Sequence, residues 1–290
     1  MATKSDHAAI GHLTIVAGSG VLPALLAAYC DRHTIAHSVL IFGDDHPLWS
    51  QGRNVIRARI EQPATYFAAL SANGSTHVVF AGSMVRPALN EPSFDALFRE
   101  KFDAFLEGYS GGDNRLLVAV VDIFEAQGFQ IVGAHSLLGD DVMISGAPTS
   151  TQPSEADRRD AARAAEIVAG LGRLDVGQGA VVAQGLVAGL ETIGGTDLML
   201  KSVPDILARC RPNPVGARGV LFKAPKPQQD LRVDMPAIGP RTVTLAAQAG
   251  LAGVVIQEHG VMVLDRPETI KAADANGLFI WARPRIAHGP

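Results

Sequence analysis

The chain has 290 residues, of which 47% are hydrophobic and 19% are charged, so it can form buried cores and has the usual length of about two domains. Its formal net charge of -4, without a dense Lys/Arg cluster, argues against a protein that binds nucleic acid. No stretch approaches the ~20 apolar residues of a membrane-spanning helix, and the polar residues before residue 11 do not resemble a secretion signal.

The first half of the chain alternates short apolar strands with helical stretches. The pattern predicts strands at Leu13–Ala17, Ser38–Phe42, His77–Ala81 and Phe129–Ala134, and helices at about Val21–Tyr29, Pro63–Leu70 and Asp113–Gln127. Strands separated by helices imply parallel pairing through right-handed crossovers. The sequence therefore predicts an α/β fold with a Rossmann-like parallel sheet over residues 11–145.

A run of turn-forming residues, 146–153, predicts a linker, and residues 154–290 are predicted to form a distinct C-terminal α/β domain. Ser154 followed by Asp157 resembles a capping box that begins a helix ending near Leu171. Further strands are predicted at Ala180–Ala183, Val220–Phe222, Gly253–Ile256, Val261–Leu264 and Leu278–Trp281, and further helices at Asp197–Ala208, Thr242–Ala249 and Glu268–Ala275. The order of these strands cannot be deduced from the pattern.

A glycine turn, Gly18-Ser19-Gly20, joins the first predicted strand to the first helix. Such glycines let the backbone approach a phosphate, and the helix N-terminus offers free N–H groups. Pro23 stands where a dinucleotide fingerprint has its third glycine, while Asp44 and Asp45 follow the second strand, where a ribose-binding acid would lie. The pattern fits a nucleotide-binding loop, and it also fits a tight turn that only packs the helix on the sheet.

A second glycine-rich group runs from Gln178 through Glu191 to Gly195-Thr196-Asp197. Thr196 is predicted as the N-cap of a helix with Asp197 in its first turn. This is either ordinary capping or a phosphate site at the helix N-terminus. Because Asp197 would repel a phosphate, the phosphate site would need a divalent cation or a lysine between them.

The segment 223–240 leaves the carboxyl end of a predicted strand, where α/β sheets usually bind ligands. Its prolines stiffen the chain and reduce the entropy lost on ordering it. It carries the charged residues Lys223, Lys226, Asp230, Arg232 and Asp234. Hydrolysis of a pyrophosphate needs cations near the non-bridging oxygens and a carboxylate that holds Mg²⁺ or orients water. The segment offers both kinds of group, although a solvated, charge-balanced loop has the same composition.

Two further residues follow strands of the first half. Arg86, after the turn at Gly82, is a candidate to contact a phosphate or a uracil carbonyl, or to form a surface ion pair. His135 is predicted at the end of a strand, where a lone histidine is more often a hydrogen-bonded structural residue than a base. No Ser–His–Asp pattern, HExxH motif or cysteine–histidine metal cluster stands out.

Taken together, these motifs resemble one family, the UDP-2,3-diacylglucosamine pyrophosphatases of the LpxI type. The first half is similar to that family at Ile15–Gly20 with Pro23, Phe80–Gly82 with Arg86-Pro87, Gly112-Asp113 and Gly133–His135. The second half is similar at Leu174–Gln178, Gly195–Asp197 with Met199-Leu200, Lys223–Pro227, and Arg232–Pro236 with Ile238-Gly239. The resemblance spans roughly residues 13–283 in collinear order, and its most specific parts are Lys-Ala-Pro-Lys-Pro and Arg-Val-Asp-Met-Pro.

The resemblance implies a hydrolase, dependent on Mg²⁺ or Mn²⁺, that splits UDP-2,3-diacylglucosamine into UMP and 2,3-diacylglucosamine 1-phosphate (lipid X) in lipid A biosynthesis. It also implies an N-terminal Rossmann-like domain and a distinct C-terminal α/β domain with the ligand site between them. The essential acidic residue of the family falls in its Arg-Val-Asp-x-Pro motif, which here is Asp234.

We therefore expect Asp234 to hold the metal and to act in catalysis with Lys223 and Lys226, whose charges would offset that of the diphosphate. The residues expected to bind the substrate are Gly18, Ser19, Gly20, Gly82, Arg86, Gln178, Thr196 and Asp197.

Two other classes of protein fit parts of the sequence, a nicotinamide-dependent oxidoreductase and a non-catalytic sensor that binds a nucleotide sugar. Cys30 and Cys210 lie far apart and outside any metal or redox motif, which is typical of free thiols in a reducing cytoplasm. A substrate with two acyl chains predicts peripheral association with the cytoplasmic face of the inner membrane of a Gram-negative bacterium. A homo-oligomer is compatible with the sequence.

Overall fold

The computed structural model describes residues 10–84, 89–102 and 113–285. Within the described residues the chain forms two compact units, the first up to residue 139 together with 230–234, and the second comprising 140–229 and the chain from 235 onwards. The predicted linker, 146–153, lies in the second unit. Its Gly146 forms a backbone bridge with Ala282, and the buried Thr149 hydroxyl accepts the N–H of Ile280 at 3.0 Å.

A five-stranded, fully parallel sheet in the order β3-β2-β1-β4-β5 forms the centre of the first unit. Its strands are β1 (Leu13–Ala17), β2 (His37–Phe42), β3 (Val55–Ala58), β4 (His77–Ala81) and β5 (Gln130–Ile131). This is the strand order of a Rossmann sheet, and the order reverses between β1 and β4. The predicted Rossmann-like parallel sheet is confirmed.

Helices cover this sheet, and an aromatic core holds them to it. The helices are α1 (Leu22–Arg32), α2 (Pro63–Ala72), α3 (Asp113–Ala126) and α4 (Ala134–Leu138), and residues 96–102 are also helical. Phe124 of α3 is almost fully buried, and its ring lies 4.9 Å from that of Phe67 and 5.3 Å from that of Phe80. Val233 packs against the same cluster, which explains why the segment 230–234 belongs to the first unit.

A mixed sheet in the order β12-β10-β8-β6-β7 forms the centre of the second unit. Its strands are β6 (Gly179–Ala183), β7 (Leu186–Leu190), β8 (Val220–Lys223), β10 (Gly253–Gln257) and β12 (Phe279–Arg283). β8, β10 and β12 are parallel, whereas β6 runs antiparallel to both β7 and β8. The start of β6 therefore lies beside the ends of β7 and β8, so three chain segments meet at one edge.

Both faces of this second sheet are buried. The helices are α5 (Glu155–Arg173), α6 (Gly195–Cys210), α7 (Pro240–Gln248) and α8 (Arg266–Ala275), and a short parallel pair is formed by β9 (Ala237–Ile238) and β11 (Met262–Val263). α5 packs with one face through Ala161, Ala164 and Val168. The other face lies under α6, α7 and α8.

Most predicted elements agree with the structure to within a few residues. The capping box is confirmed, because the Ser154 hydroxyl accepts the N–H of Asp157 and the Asp157 carboxylate accepts the N–H of Ser154 at 2.9 Å. The strand predicted at 129–134 is wrong in extent, since only Gln130–Ile131 is strand and His135 lies on α4. β3, β7 and β9 were not predicted.

None of the helices in the described part of the chain combines the length and the apolar character needed to cross a bilayer.

Candidate active site

The turns that follow β1 and β4 cross each other at the carboxyl edge of the first sheet. Ser19 and Ser83 form a backbone bridge with N–O distances of 2.8 and 3.0 Å. A Cβ on Gly18 would overlap the carbonyl oxygen of Ser83, and one on Gly82 would overlap that of Ser19, so both positions need glycine. Because the Ser19 N–H is bonded to Ser83, the Gly18-Ser19-Gly20 turn packs two loops together as well as lining the groove described next.

A groove of about 1090 Å³ opens beside these turns, over the carboxyl ends of β1, β2 and β3. Its walls include the Gly18-Ser19-Gly20 turn, Asp44, Asp45, Trp49 and Tyr66. The guanidinium of Arg57 donates to the carbonyl oxygen of Asp45 and contacts the ring of His46, which ties this acidic loop to β3. The groove thus combines carboxylates with aromatic surfaces, a composition suited to the sugar and base of a nucleoside.

In the second unit, a buried lysine, Lys223, ends β8 opposite Gly179 of β6. Its Nζ donates to Oγ1 of Thr196 at 2.7 Å, and that hydroxyl donates to Oε2 of Glu191 at 2.6 Å. Nζ lies 3.7 Å from the same carboxylate oxygen. Lys223 and Glu191 are 7% and 6% exposed, so this is a buried ion pair bridged by a hydroxyl group.

The ammonium group of Lys223 has unused capacity for an anion. An ammonium has three N–H donors. Among the described residues, only Thr196 accepts a hydrogen bond from Nζ, because the carboxylate at 3.7 Å lies beyond hydrogen-bond distance. The other N–H groups are therefore available to a ligand oxygen.

The backbone around Glu191 is shaped by glycine. A Cβ on Gly177 would overlap the Glu191 carbonyl oxygen, and one on Gly179 would approach Oε2 to 2.5 Å. Between them, Gln178 has its Oε1 buried without a hydrogen-bond partner in the described part of the chain. An unpaired buried acceptor destabilises a protein by about 1–3 kcal/mol, so Gln178 is a second group here with capacity for a ligand.

Thr196 was predicted as an N-cap, and that prediction is wrong. α6 begins at Gly195 with Gly194 as its N-cap, which places Thr196 in the first turn with its hydroxyl directed to Glu191. The carboxylate of Asp197 is paired with Arg241, which reduces the repulsion it would exert on a phosphate.

Lys226 follows Lys223 in the same loop but is held by another acid. Its Nζ donates to Oδ1 of Asp175 at 2.6 Å. The loop is also pressed against α5, because a Cβ on Gly172 would lie 2.8 Å from Cδ of Pro227. Lys226 is thus fixed near the chain that leads into β6.

Asp234 is half-buried and ends the segment 230–234 of the first unit. Its N–H donates to the carbonyl oxygen of Asp230 at 3.1 Å. Arg232 donates to both carboxylate oxygens of Asp230 and, at 2.8 Å, to Glu125 of α3. These hydrogen bonds from Arg232 hold the pKa of Asp230 below its ordinary value. Both carboxylate oxygens of Asp230 are therefore used in pairing with Arg232.

His135 lies beside this segment in the first unit. Its ring occupies the space next to Gly133, close to the backbone of Arg232. Burial lowers the pKa of His135, and its Nδ1 is buried with no hydrogen-bond partner among the residues described. The expectation of a hydrogen-bonded structural histidine is therefore not met at Nδ1.

The predicted site residues thus fall into separate groups. Lys223, Thr196 and Gln178 lie at one edge of the second sheet. Lys226 is paired with Asp175 and Asp197 with Arg241, and Asp234 lies in the segment 230–234 of the first unit. Gly18, Ser19, Gly20 and Gly82 lie together in the first unit, and Arg86 lies outside the described residues. Glu191 is not among the predicted site residues, because the sequence pattern does not indicate the strand β7 that places it.

Among the residues that the structure describes, no three His, Cys, Asp or Glu side chains lie close enough together to coordinate one metal ion.

Together the sheets and side chains define a two-unit α/β protein with one candidate ligand site in each unit. One unit has a Rossmann-like sheet with a groove at its carboxyl edge, and the other has a buried ammonium group with N–H donors to spare.

Comparison with known proteins identifies the family. Models of the LpxI N-terminal domain and the LpxI C-terminal domain match residues 12–140 and 144–281. A relative from Caulobacter vibrioides, the UDP-2,3-diacylglucosamine pyrophosphatase LpxI, is 38% identical over 271 residues, which cover 92% of this chain and 96% of the relative. The chain belongs to the LpxI family. This membership favours a hydrolase over the oxidoreductase and the sensor.

Proposed function

We propose that this protein hydrolyses the diphosphate bond of UDP-2,3-diacylglucosamine in lipid A biosynthesis, giving UMP and 2,3-diacylglucosamine 1-phosphate (lipid X). The name of the Caulobacter relative supports this substrate and this activity. The structural observation that carries the proposal is the buried ammonium of Lys223, which has N–H donors to spare. Hydrogen bonds from a charged donor to phosphate oxygens are among the strongest in proteins.

The reaction explains why cations are needed. The oxygen of a water molecule forms a bond to one phosphorus while the bond from that phosphorus to the bridging oxygen breaks. The bridging oxygen leaves with the bonding electron pair on the other phosphate, and the attacking water loses a proton to solvent. Negative charge grows on the phosphate oxygens as the bond breaks. Lys223 is a proposed catalytic residue because its ammonium offsets this charge, and Lys226 would assist it.

The nucleotide end of the substrate is proposed to occupy the groove of the first unit. Asp44 and Asp45 offer carboxylates for the ribose hydroxyls, and Trp49 offers an aromatic surface for the uracil. Gly18, Ser19, Gly20, Gly82 and Arg86 would line the approach of the diphosphate. In the second unit, Gln178 and Asp197 would contact the substrate around Lys223, and Thr196 would act there through its hydrogen bond with the Lys223 ammonium.

Mg²⁺ or Mn²⁺ is a proposed cofactor, and Asp234 would hold it. Mg²⁺ is usually bound through one or two carboxylates, with water and substrate phosphate oxygens as the remaining ligands. A single half-buried carboxylate such as Asp234 fits this kind of site. When bound, the ion would polarise the phosphoryl oxygens.

Apolar side chains around the end of β7 support peripheral binding to the cytoplasmic membrane surface. Ile193 is 100% exposed and Leu198 is 62% exposed, and both lie within two residues of Glu191 or Thr196. We propose that they contact the acyl chains and the bilayer. Co-sedimentation with anionic phospholipid vesicles should weaken when both are changed to serine, and unchanged binding would argue against this surface.

The proposed activity is tested by the release of UMP from purified UDP-2,3-diacylglucosamine. We expect EDTA to abolish the release and excess Mg²⁺ to restore it. Release that EDTA does not affect would contradict the metal requirement alone. Tight binding of NADH without UMP release would favour the oxidoreductase, and binding of the nucleotide sugar without turnover would favour the sensor.

A further inference from the structure

Glu191 is a buried acid that no step of the proposed reaction uses directly. We propose that Glu191 is a positioning residue, which acts through the Thr196 hydroxyl to fix the direction of the Lys223 ammonium. This inference rests on the proposed function, because it assigns Glu191 a part in the same hydrolysis.

The geometry of the Glu191–Thr196–Lys223 chain differs from that of an ion pair that only stabilises the fold. An ammonium and a carboxylate in direct contact share a hydrogen bond at about 2.7–2.9 Å. Here Nζ and Oε2 are 3.7 Å apart, and the Thr196 hydroxyl accepts from one and donates to the other. Glu191 thus balances the charge of Lys223 without taking up a second N–H donor.

The backbone holds Glu191 in this place. Its N–H donates to the carbonyl oxygen of Gly179 at 2.8 Å, and Gly177 and Gly179 leave the space that its main chain and carboxylate occupy. Gly179 is also the residue paired with Lys223 across the sheet. The acid and the lysine are therefore placed by the same sheet edge, and the hydroxyl from α6 lies between them.

A fixed direction matters because electrostatic catalysis depends on donors that are already aimed at the developing charge. A lysine side chain has several rotatable bonds, so without a fixed contact its ammonium group can point in many directions. Because one N–H is held by Thr196, the position of the ammonium is fixed, and its remaining N–H groups stay available to a ligand. Loss of the acid should leave the lysine present but less well directed.

The kinetic test uses Glu191→Gln, Thr196→Val and Thr196→Ser in the assay of UMP release. We expect Glu191→Gln and Thr196→Val each to lower kcat by about 10- to 100-fold with little change in KM, since misplaced groups reduce rates by such factors. Thr196→Ser keeps the hydroxyl and should stay within about threefold of the wild type. In a Lys223→Met background, Glu191→Gln should have no further effect, because it acts through Lys223.

The matched control is Asp160→Asn, because Asp160 is equally buried but binds the N–H groups of Gln184 and Gly185 at the opposite end of the β6–β7 hairpin. It should lower thermal stability without changing kcat of the folded protein. A Glu191→Gln protein with wild-type kcat, or one whose loss persists in full without Lys223, would overturn the proposal.

A second measurement does not depend on activity. In protein labelled with ¹⁵N-lysine, a buried, hydrogen-bonded ammonium gives an Nζ resonance protected from solvent exchange, and Lys223→Met assigns it. We expect this resonance to broaden or disappear in Glu191→Gln and to persist in Asp160→Asn. Were it unchanged in Glu191→Gln, the positioning role would be wrong even if the wild-type protein releases UMP. Absence of UMP release by the wild type would refute the proposed function instead.

Discussion

Lys223 and Glu191 lie where water is almost excluded, which makes each dependent on the other. Removing two charges from water is unfavourable, and their attraction and the Thr196 hydroxyl offset that loss. If one partner is deleted, the other becomes an uncompensated buried charge. Substituting Lys223 or Glu191 alone should therefore destabilise the second unit strongly, and substituting both together should destabilise it much less.

Lys223→Met should lower the free energy of unfolding by about 3–5 kcal/mol, the usual effect of breaking a buried ion pair. Adding Glu191→Gln should recover much of that loss, because the uncompensated carboxylate is then gone. Urea denaturation measures both variants. Lys271→Met, at an exposed pair with Glu268 on α8, is the control and should change stability by less than about 1 kcal/mol. If the double variant lost as much free energy of unfolding as the two single variants added together, the mutual dependence of Lys223 and Glu191 would be contradicted.

For single residues, the sequence indicates which side chains belong to the site better than it indicates which other residues they contact. Lys223 and Thr196 stand out because they lie in loops rich in proline or glycine, but the predicted N-cap role of Thr196 is wrong. Glu191 lacks any local signal, since its partner Lys223 lies on another strand of the sheet. Such a cluster depends on strand pairing between distant parts of the chain.

Among the elements, those with strong local signals were predicted from sequence. α5 begins with a capping box, and β1 and β4 are buried along their whole length. β3 and β7 lie at sheet edges, and half or more of their residues are partly exposed. Edge strands of this kind are defined by the neighbour with which they pair, so their own residues indicate them only weakly.

Two glycines of α5 give a matched pair of substitutions. A Cβ on Gly170 would meet only the Arg173 guanidinium at 3.8 Å, whereas one on Gly172 would lie 2.8 Å from Pro227 and 3.3 Å from Cα of Lys226. Gly170→Ala should stabilise the protein by about 0.5–1 kcal/mol, the difference between alanine and glycine in a helix. Gly172→Ala should destabilise it by about 1–3 kcal/mol through overpacking.

Thermal unfolding measures both glycine variants under the same conditions. Gly172→Ala should also lower kcat for UMP release, because the loop that carries Lys226 must move. Equal effects of the two substitutions on stability would show that the loop does not press on α5.

In the whole molecule, the alternation of strands and helices predicts that the first sheet is parallel and Rossmann-like, but it does not indicate the edge strand β3. The second sheet was not predictable in order, because β6 enters it antiparallel to β8. The segment 230–234 lies within the predicted C-terminal domain along the chain, and its contacts, through Val233 and the Arg232–Glu125 ion pair, are with the first unit. Neither contact is visible in the local pattern of the sequence.

The first unit should lose stability in mild acid. Burial lowers the pKa of His77 and His135, and burial together with the nearby His37 lowers that of His12. A histidine whose folded pKa lies below its unfolded value of about 6.5 contributes stability above that pH. This stability is lost as the pH falls below about 6.5, because the unfolded chain then binds more protons.

Hydrogen exchange at pH 7.5 and 5.5, corrected for the intrinsic effect of pH, tests this. Amides of β1 and β4 should lose protection at the lower pH, and more so than those of β8 and β10 in the second unit. His135→Gln should reduce the extra loss of amide protection that β1 and β4 show at pH 5.5. Equal loss of protection in both units would contradict the role of these histidines.

The most direct measurement is the rate of UMP release from UDP-2,3-diacylglucosamine by Asp234→Asn, compared with the wild type and with Asp205→Asn, an exposed acid on α6. If Asp234 serves the hydrolysis, kcat should fall by about 100-fold or more while the protein remains folded. Asp205→Asn should keep the wild-type rate. A folded Asp234→Asn protein that releases UMP at nearly the wild-type rate would contradict the proposed active site.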